Sequence, residues 1–187
     1  LSATGRGTKR VEADFYPTPI PVIHNFLDNH RLRDGIILEP SAGNGNFLTA
    51  IRGKGYQNDI IANELREEEY NNLSNSGANI IRHNNFLKGI EGIDGLKVST
   101  IITNPPFTYA KEFIEACKIN YPNAEVIMLL RLALLESKKR HEFWQQYPVN
   151  KLYILSQRPS FTGKGTDATA YAWFVWNNDD YQEIKVI

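Results

Sequence analysis

The 187-residue chain has a single cysteine, Cys117, a single methionine, and no excess of either charge, since 21 Lys and Arg balance 21 Asp and Glu. One thiol excludes a disulfide framework and a multi-cysteine zinc site, so no metal centre is expected, and it fits a reducing, cytoplasmic setting. Balanced charge removes the global basic field that gathers polyanions, so any contact with one must be made locally. The longest apolar runs, residues 126–130 and 172–176, are strand-sized. They fall far short of the roughly 20 residues that cross a bilayer, and no membrane partner is expected. There is no internal repeat and no low-complexity tract. Hydrophobic residues make up 42% of the chain, enough for one full core and too few residues for two comfortable ones. Residues 1–13, rich in Gly, Thr and charge without an apolar period, read as a mobile N-terminal arm, either a plain tail or a segment touching phosphates. Residues 14–187 read as one domain.

What is present is an alternation. Apolar, β-branched runs at residues 35–39, 59–65, 78–83, 98–103, 124–130, 151–156 and 171–176 read as strands. Between the earlier ones lie helical patterns at residues 47–52, 66–76, 109–121 and 136–147, with another at 21–27 ahead of the first strand. This predicts an α/β fold, Rossmann-like, with one mostly parallel sheet of about seven strands, helices on both faces and an antiparallel late hairpin.

The most informative stretch is the end of the fourth strand, Asn104-Pro105-Pro106-Phe107. Two prolines remove two backbone donors and fix two φ angles, so the strand stops at Asn104, and a residue before proline is held extended. The carboxyl edge of a parallel sheet is where ligands bind. Asn104 offers a side-chain carbonyl and Pro105 a main-chain carbonyl, two acceptors suited to one amino group with two hydrogens. Phe107 adds a flat apolar face for a planar ring. A strand closed by an ordinary Pro-Pro turn would show the same four residues.

Other strand tips are also polar. The first runs into Glu39-Pro40-Ser41-Ala42-Gly43-Asn44-Gly45-Asn46-Phe47, a strand, glycine-rich turn and helix. Gly43 and Gly45 permit positive φ and close approach of a ligand to main-chain N–H groups. A dinucleotide fingerprint needs a third glycine where Leu48 stands, so pyrophosphate is disfavoured. Glu39 would repel phosphate but attract an ammonium or sulfonium. Glu64 ends the second strand about twenty-five residues after Glu39, where an acid can accept both hydrogens of a ribose diol or simply begin a helix. Asn85-Phe86 at the third tip suits a heteroaromatic ring. Ahead of these, Tyr16-Pro17-Thr18-Pro19 is a rigid aromatic segment able to lie over a pocket. The loop at residues 157–170 carries Arg158, Phe161 and Lys164, and reads equally as an ordinary hairpin loop or as a flap against a nucleic-acid strand. The basic run at residues 138–141 reads as a solvated face, with contact to a nucleic-acid backbone the lesser alternative.

Together, Phe15-Tyr16-Pro17-Thr18-Pro19, the Glu39 to Gly45 turn, Asn63-Glu64-Leu65, Asn85-Phe86-Leu87 and Asn104-Pro105-Pro106-Phe107 resemble the adenine-N6 DNA methyltransferases that use S-adenosylmethionine, in their gamma motif order. The resemblance is close over residues 14–107. It implies a catalytic domain in which Tyr16 and Thr18 lie against the methionine end of the cofactor. Glu39, Ser41, Gly43, Gly45 and Phe47 then form the cofactor turn, Glu64 holds ribose, and Asn85 and Phe86 meet the cofactor adenine. Asn104, Pro105, Pro106 and Phe107 receive an adenine flipped from duplex DNA; outside the resemblance, the composition of the later loop makes Arg158, Phe161 and Lys164 candidate substrate contacts. Many relatives carry aspartate where Asn85 stands, and many carry a large target-recognition domain for which no segment here is long enough. A partner protein supplying specificity is therefore an expectation, and small phage or restriction-modification enzymes are the nearest sort of relative. A cytosine-C5 route needs a thiolate, usually in a Pro-Cys pair, whereas Cys117 follows Ala116 within a helical pattern. Glutamine methyltransferases acting on protein, RNA adenine enzymes and a non-catalytic binding module remain rivals.

Overall fold

The structure, a computed structural model, describes residues 16–163 and 165–187. The expected arm at residues 1–13, Phe15 and Lys164 lie outside the described residues. Among the described residues five α-helices, α1 (Ile20–Asn29), α2 (Asn46–Gly53), α3 (Tyr70–Asn75), α4 (Ala110–Asn120) and α5 (His141–Gln146), surround one sheet. Its strands are β1 (Ile36–Glu39), β2 (Ile60–Asn63), β3 (Ile80–Arg82), β4 (Val98–Thr103), β5 (Glu125–Arg131), β6 (Lys151–Ile154), β7 (Tyr171–Trp176) and β8 (Glu183–Val186).

The sheet order is β3-β2-β1-β4-β5-β7-β6-β8. The first five strands pair in parallel, β7 runs antiparallel to both β5 and β6, and β8 lies parallel to β6. Because both faces of the central strands are covered, their runs are apolar throughout rather than alternating. Ile37, Ile60, Ile102 and Ile127 face α1 and α2. Leu38, Ile61, Ile101 and Val126 face α4 and α5. From β1 the chain winds outward through β2 and β3, then returns across β1 to β4 and winds the other way. The reversal opens a crevice at the carboxyl ends of β1 and β4, the place where open α/β sheets bind ligands. Register brings those ends level, with Leu38 beside both Ile61 and Ile101.

Three expectations need adjustment. The sheet has eight strands, because β8 pairs with β6 through its backbone and one Lys151–Glu183 ion pair at 3.7 Å while its four residues stay exposed, leaving no continuous apolar run to signal it. The helix expected over residues 136–147 is broken: Ser137 adopts φ +119° and its Oγ accepts from Lys139 N–H, so a 3₁₀ turn at Lys138–Arg140 precedes the short α5. Likewise residues 66–76 begin as a 3₁₀ turn at Glu67–Glu69 before α3. No described helix is long and apolar enough to cross a membrane.

Candidate active site

At the crevice lies a cavity of about 690 Å³, within the range of small-molecule sites. Four strand tips and the segment ahead of α1 build its wall. From the first tip come Ser41, Gly43 and Phe47, from the second Asn63 and Glu64, from the third Asn85 and Phe86. Asn104, Pro105, Pro106 and Phe107 close the other side, and Tyr16 and Thr18 reach in from above.

Local hydrogen bonds explain why each side chain stands where it does. The glycine turn is tied downward: Ser41 N–H donates to Glu39 Oε1 at 2.9 Å, and Ser41 Oγ bonds Thr103 Oγ1 at 2.8 Å, linking the turn to the end of β4. Gly43, at φ +54°, donates its N–H to Glu64 Oε2 at 2.8 Å. The other oxygen of Glu64 accepts from Arg66 N–H and Nε, at 3.1 and 2.9 Å. The acid is thereby fixed against the turn, with both lone pairs of Oε1 engaged and one lone pair of Oε2 left for a ligand hydroxyl. Asn63 cross-links three tips, donating to the carbonyls of Pro40 and Asn84 and accepting from Asn84 N–H.

The Asn104 carboxamide has a defined orientation. Its Nδ2 donates to Thr18 Oγ1 at 3.0 Å, while its Oδ1 is buried and has no hydrogen-bond partner among the described residues. A buried carbonyl without a donor is rare in folded proteins and marks a position where a ligand donor is wanted. Thr18 is itself held, being almost fully buried and accepting from Asn46 Nδ2 through its carbonyl. The Tyr16 ring lies nearly parallel to that of Phe107, with centroids 6.2 Å apart and planes 21° from parallel.

Three of the expected site residues lie off this wall, and a fourth is engaged within it. Glu39 has no exposed surface and stands beneath the cavity rather than in its wall. Burial pushes its carboxyl up to about 8, so it is the neutral acid at moderate pH, and an attraction for a sulfonium is lost with the charge. Gly45 also misses the wall: it begins α2 at φ +86° and faces Ser76, whose Oγ would lie 2.3 Å from any added Cβ. Asn85 does line the cavity, but its Oδ1 accepts from Leu87 N–H and caps a 3₁₀ turn. Arg158 is exposed and lines neither this cavity nor its neighbour.

That neighbour is a chamber of about 250 Å³ on the far side of Tyr16 and Phe107. Phe161 reaches it, its ring 6.5 Å from Phe107 and 5.1 Å from Tyr171. Sequence reasoning overlooked Arg131 and Asp167 here. Arg131 follows directly on the apolar run of β5, so the strand-tip logic applied to the first four strands would have found it.

No family model and no curated protein matches this sequence. Solved structures do. A dimethyladenosine transferase from Plasmodium falciparum superposes with TM-score 0.63 at 10% identity, over 86% of this chain and 62% of that one. A precorrin-6y C5,15-methyltransferase from Geobacter metallireducens gives 0.56 at 16%, covering 90% and 97%. A methyltransferase from Pyrococcus furiosus gives 0.56 at 16%, covering 86% and 83%. This chain has a Rossmann-like methyltransferase fold. Such similar structures range by name from a dimethyladenosine transferase to a precorrin-6y methyltransferase, so the fold leaves the acceptor open and the site must decide it.

Proposed function

We propose that the protein transfers a methyl group from S-adenosylmethionine to the exocyclic N6 amino group of adenine in DNA. The observation that carries this reading is the unpaired, buried Oδ1 of Asn104 in the same cavity as the glycine turn. The residues present fit the cofactor. Phe86 offers a ring face, Glu64 is fixed beside Gly43 with one Oε2 lone pair for a ribose hydroxyl, and the cavity has the volume. When bound, the cofactor supplies an electrophilic methyl on sulfur.

The acceptor nitrogen is the harder half of the reaction, because an aromatic amine delocalises its lone pair into the ring. Asn104 Oδ1 and the Pro105 carbonyl accept the two amino hydrogens, which favours a pyramidal nitrogen and frees the pair as the transition state forms. Each such hydrogen bond contributes about 0.5–1.5 kcal/mol in a ground state, so alignment supplies most of the acceleration. Thr18 sets that alignment by holding Nδ2, so that the oxygen rather than the nitrogen faces the amine. Phe107 and Tyr16 provide the ring faces along which an extruded base lies. No enzyme nucleophile is needed, and Cys117, fully buried in α4 with its thiol pushed up by burial, supplies none.

A base-sized planar acceptor suits the two aromatic faces better than a glutamine side chain does, which sets DNA ahead of the protein alternative. Another similar structure, the 23S rRNA methyltransferase ErmE, keeps RNA as the second nucleic-acid reading. Incubation with methyl-labelled cofactor and duplex DNA, RNA or protein decides among them. Label is expected in N6-methyladenine of DNA, and label in protein alone, or in none despite cofactor binding, refutes the proposal.

A further inference from the structure

We infer that the chamber beyond Phe107 is a phosphodiester site, with Arg131 holding a phosphate of the strand that presents the acceptor base. The inference rests on the nucleic-acid reading above and adds to it how the strand, rather than the base, is held. Arg131 ends β5 directly opposite Tyr171 of β7. Its guanidinium carbon sits 4.4 Å from the centroid of the Phe107 ring. The positive charge is thus fixed against the aromatic side chain proposed to receive the base.

The guanidinium is anchored along one edge only. Nε donates to the Tyr171 hydroxyl at 3.1 Å, and that hydroxyl donates onward to Asp167 Oδ2 at 2.9 Å. Asp167 is kept in place by accepting from Thr169 N–H at 3.2 Å, and its Oδ2 stands 3.9 Å from an Arg131 Nη, too far for a hydrogen bond. Among the described residues nothing else bonds Arg131, so its two Nη groups keep their donors, the fork that matches two phosphate oxygens. Gly165 and Thr166 also line the chamber. Closing the loop, Asp167 N–H donates to the Pro159 carbonyl at 2.9 Å and Ser160 Oγ donates to the Gly165 carbonyl at 2.5 Å.

Asp167 gives the site its selectivity. A carboxylate this close to the guanidinium lowers its pull on a free anion, so inorganic phosphate is a poor ligand. A phosphate tethered to a base already lying on Phe107 arrives at high effective concentration and overcomes that opposition.

The test measures binding of a single-stranded DNA and a single-stranded RNA oligonucleotide, each with one central adenine, across a salt series. Arg131→Gln is expected to weaken binding about tenfold or more and to flatten the slope of log K against log salt by about 0.7, the value of one phosphate on a single strand. Arg131→Lys, which keeps the charge, retains the slope. Replacing the phosphates flanking the adenine with uncharged methylphosphonates weakens wild type and leaves Arg131→Gln unchanged. An oligonucleotide that binds with the same slope in wild type and Arg131→Gln, or methylphosphonates felt equally by both, overturns the phosphate site while leaving the nucleic-acid reading intact. A wild-type protein that binds cofactor but neither binds nor methylates either oligonucleotide or the DNA duplex formed from the first overturns both.

Discussion

Replacing Thr18 with valine removes one hydroxyl at nearly constant volume and probes what orients the Asn104 amide. In the structure Thr18 Oγ1 accepts from Asn104 Nδ2 at 3.0 Å, while Oδ1 is buried and unpaired among the described residues and is the atom proposed to meet the acceptor amine. Without that acceptor the amide no longer distinguishes its two faces. The lost preference is one hydrogen bond, about 0.5–1.5 kcal/mol net, which at about 1.4 kcal/mol per factor of ten is roughly a 2- to 12-fold loss of rate. The main-chain tie from Asn46 Nδ2 to the Thr18 carbonyl survives the change, so the segment itself stays in place. Single-turnover methyl transfer at saturating cofactor and substrate reports the rate, and calorimetric titration reports cofactor affinity. Thr18→Ser keeps a hydroxyl and is expected to stay near the wild-type rate. A Thr18→Val enzyme that turns over at the wild-type rate would refute the claim that this contact aims the amide.

Further predictions concern the supports of the site. Gly45→Ala places a Cβ 2.3 Å from Ser76 Oγ at φ +86°, so the melting temperature should fall. The left-handed backbone alone costs on the order of 1–2 kcal/mol, and Ser76→Gly in the same chain should restore only the steric part. Glu39 gives a pH signature. Its pKa is raised from 4.5 to about 8 by burial, so the folded state binds its proton more tightly than the unfolded state. The stabilisation is complete below about 4.5 and is lost as pH rises towards about 8. Glu39→Gln, which mimics the neutral acid, should show a smaller loss of stability than wild type between pH 5 and pH 8 in urea unfolding; an identical loss would show that Glu39 is ionised in the fold.

Much of the framework is legible in the sequence because it rests on short-range rules. Continuous β-branched runs mark strands covered on both faces, and prolines and glycines mark where those strands end. Strand tips therefore located Asn104, Glu64, Ser41 and Phe86 on one cavity without any knowledge of the pairing. What escaped depends on contacts between distant segments. Glu39 reads as a tip residue, yet a closed backbone turn tucks it under the floor. Gly45 shares a motif with Gly43 but answers to Ser76, thirty-one residues on. The Arg131 and Asp167 pair meets only because β7 inserts between β5 and β6, which no local pattern announces. β8 only alternates Ile184 and Val186 with charged residues, all four exposed, so no buried run marks it, and it adds to the edge of β6.

The most direct test of the account is single-turnover methyl transfer to an adenine-containing DNA duplex by Asn104→Ala, with cofactor affinity measured on the same protein. Loss of the acceptor oxygen should slow transfer by about 100-fold or more, as removal of one transition-state hydrogen-bonding group commonly does, with cofactor affinity nearly unchanged. Transfer at the wild-type rate would contradict the role given to Asn104.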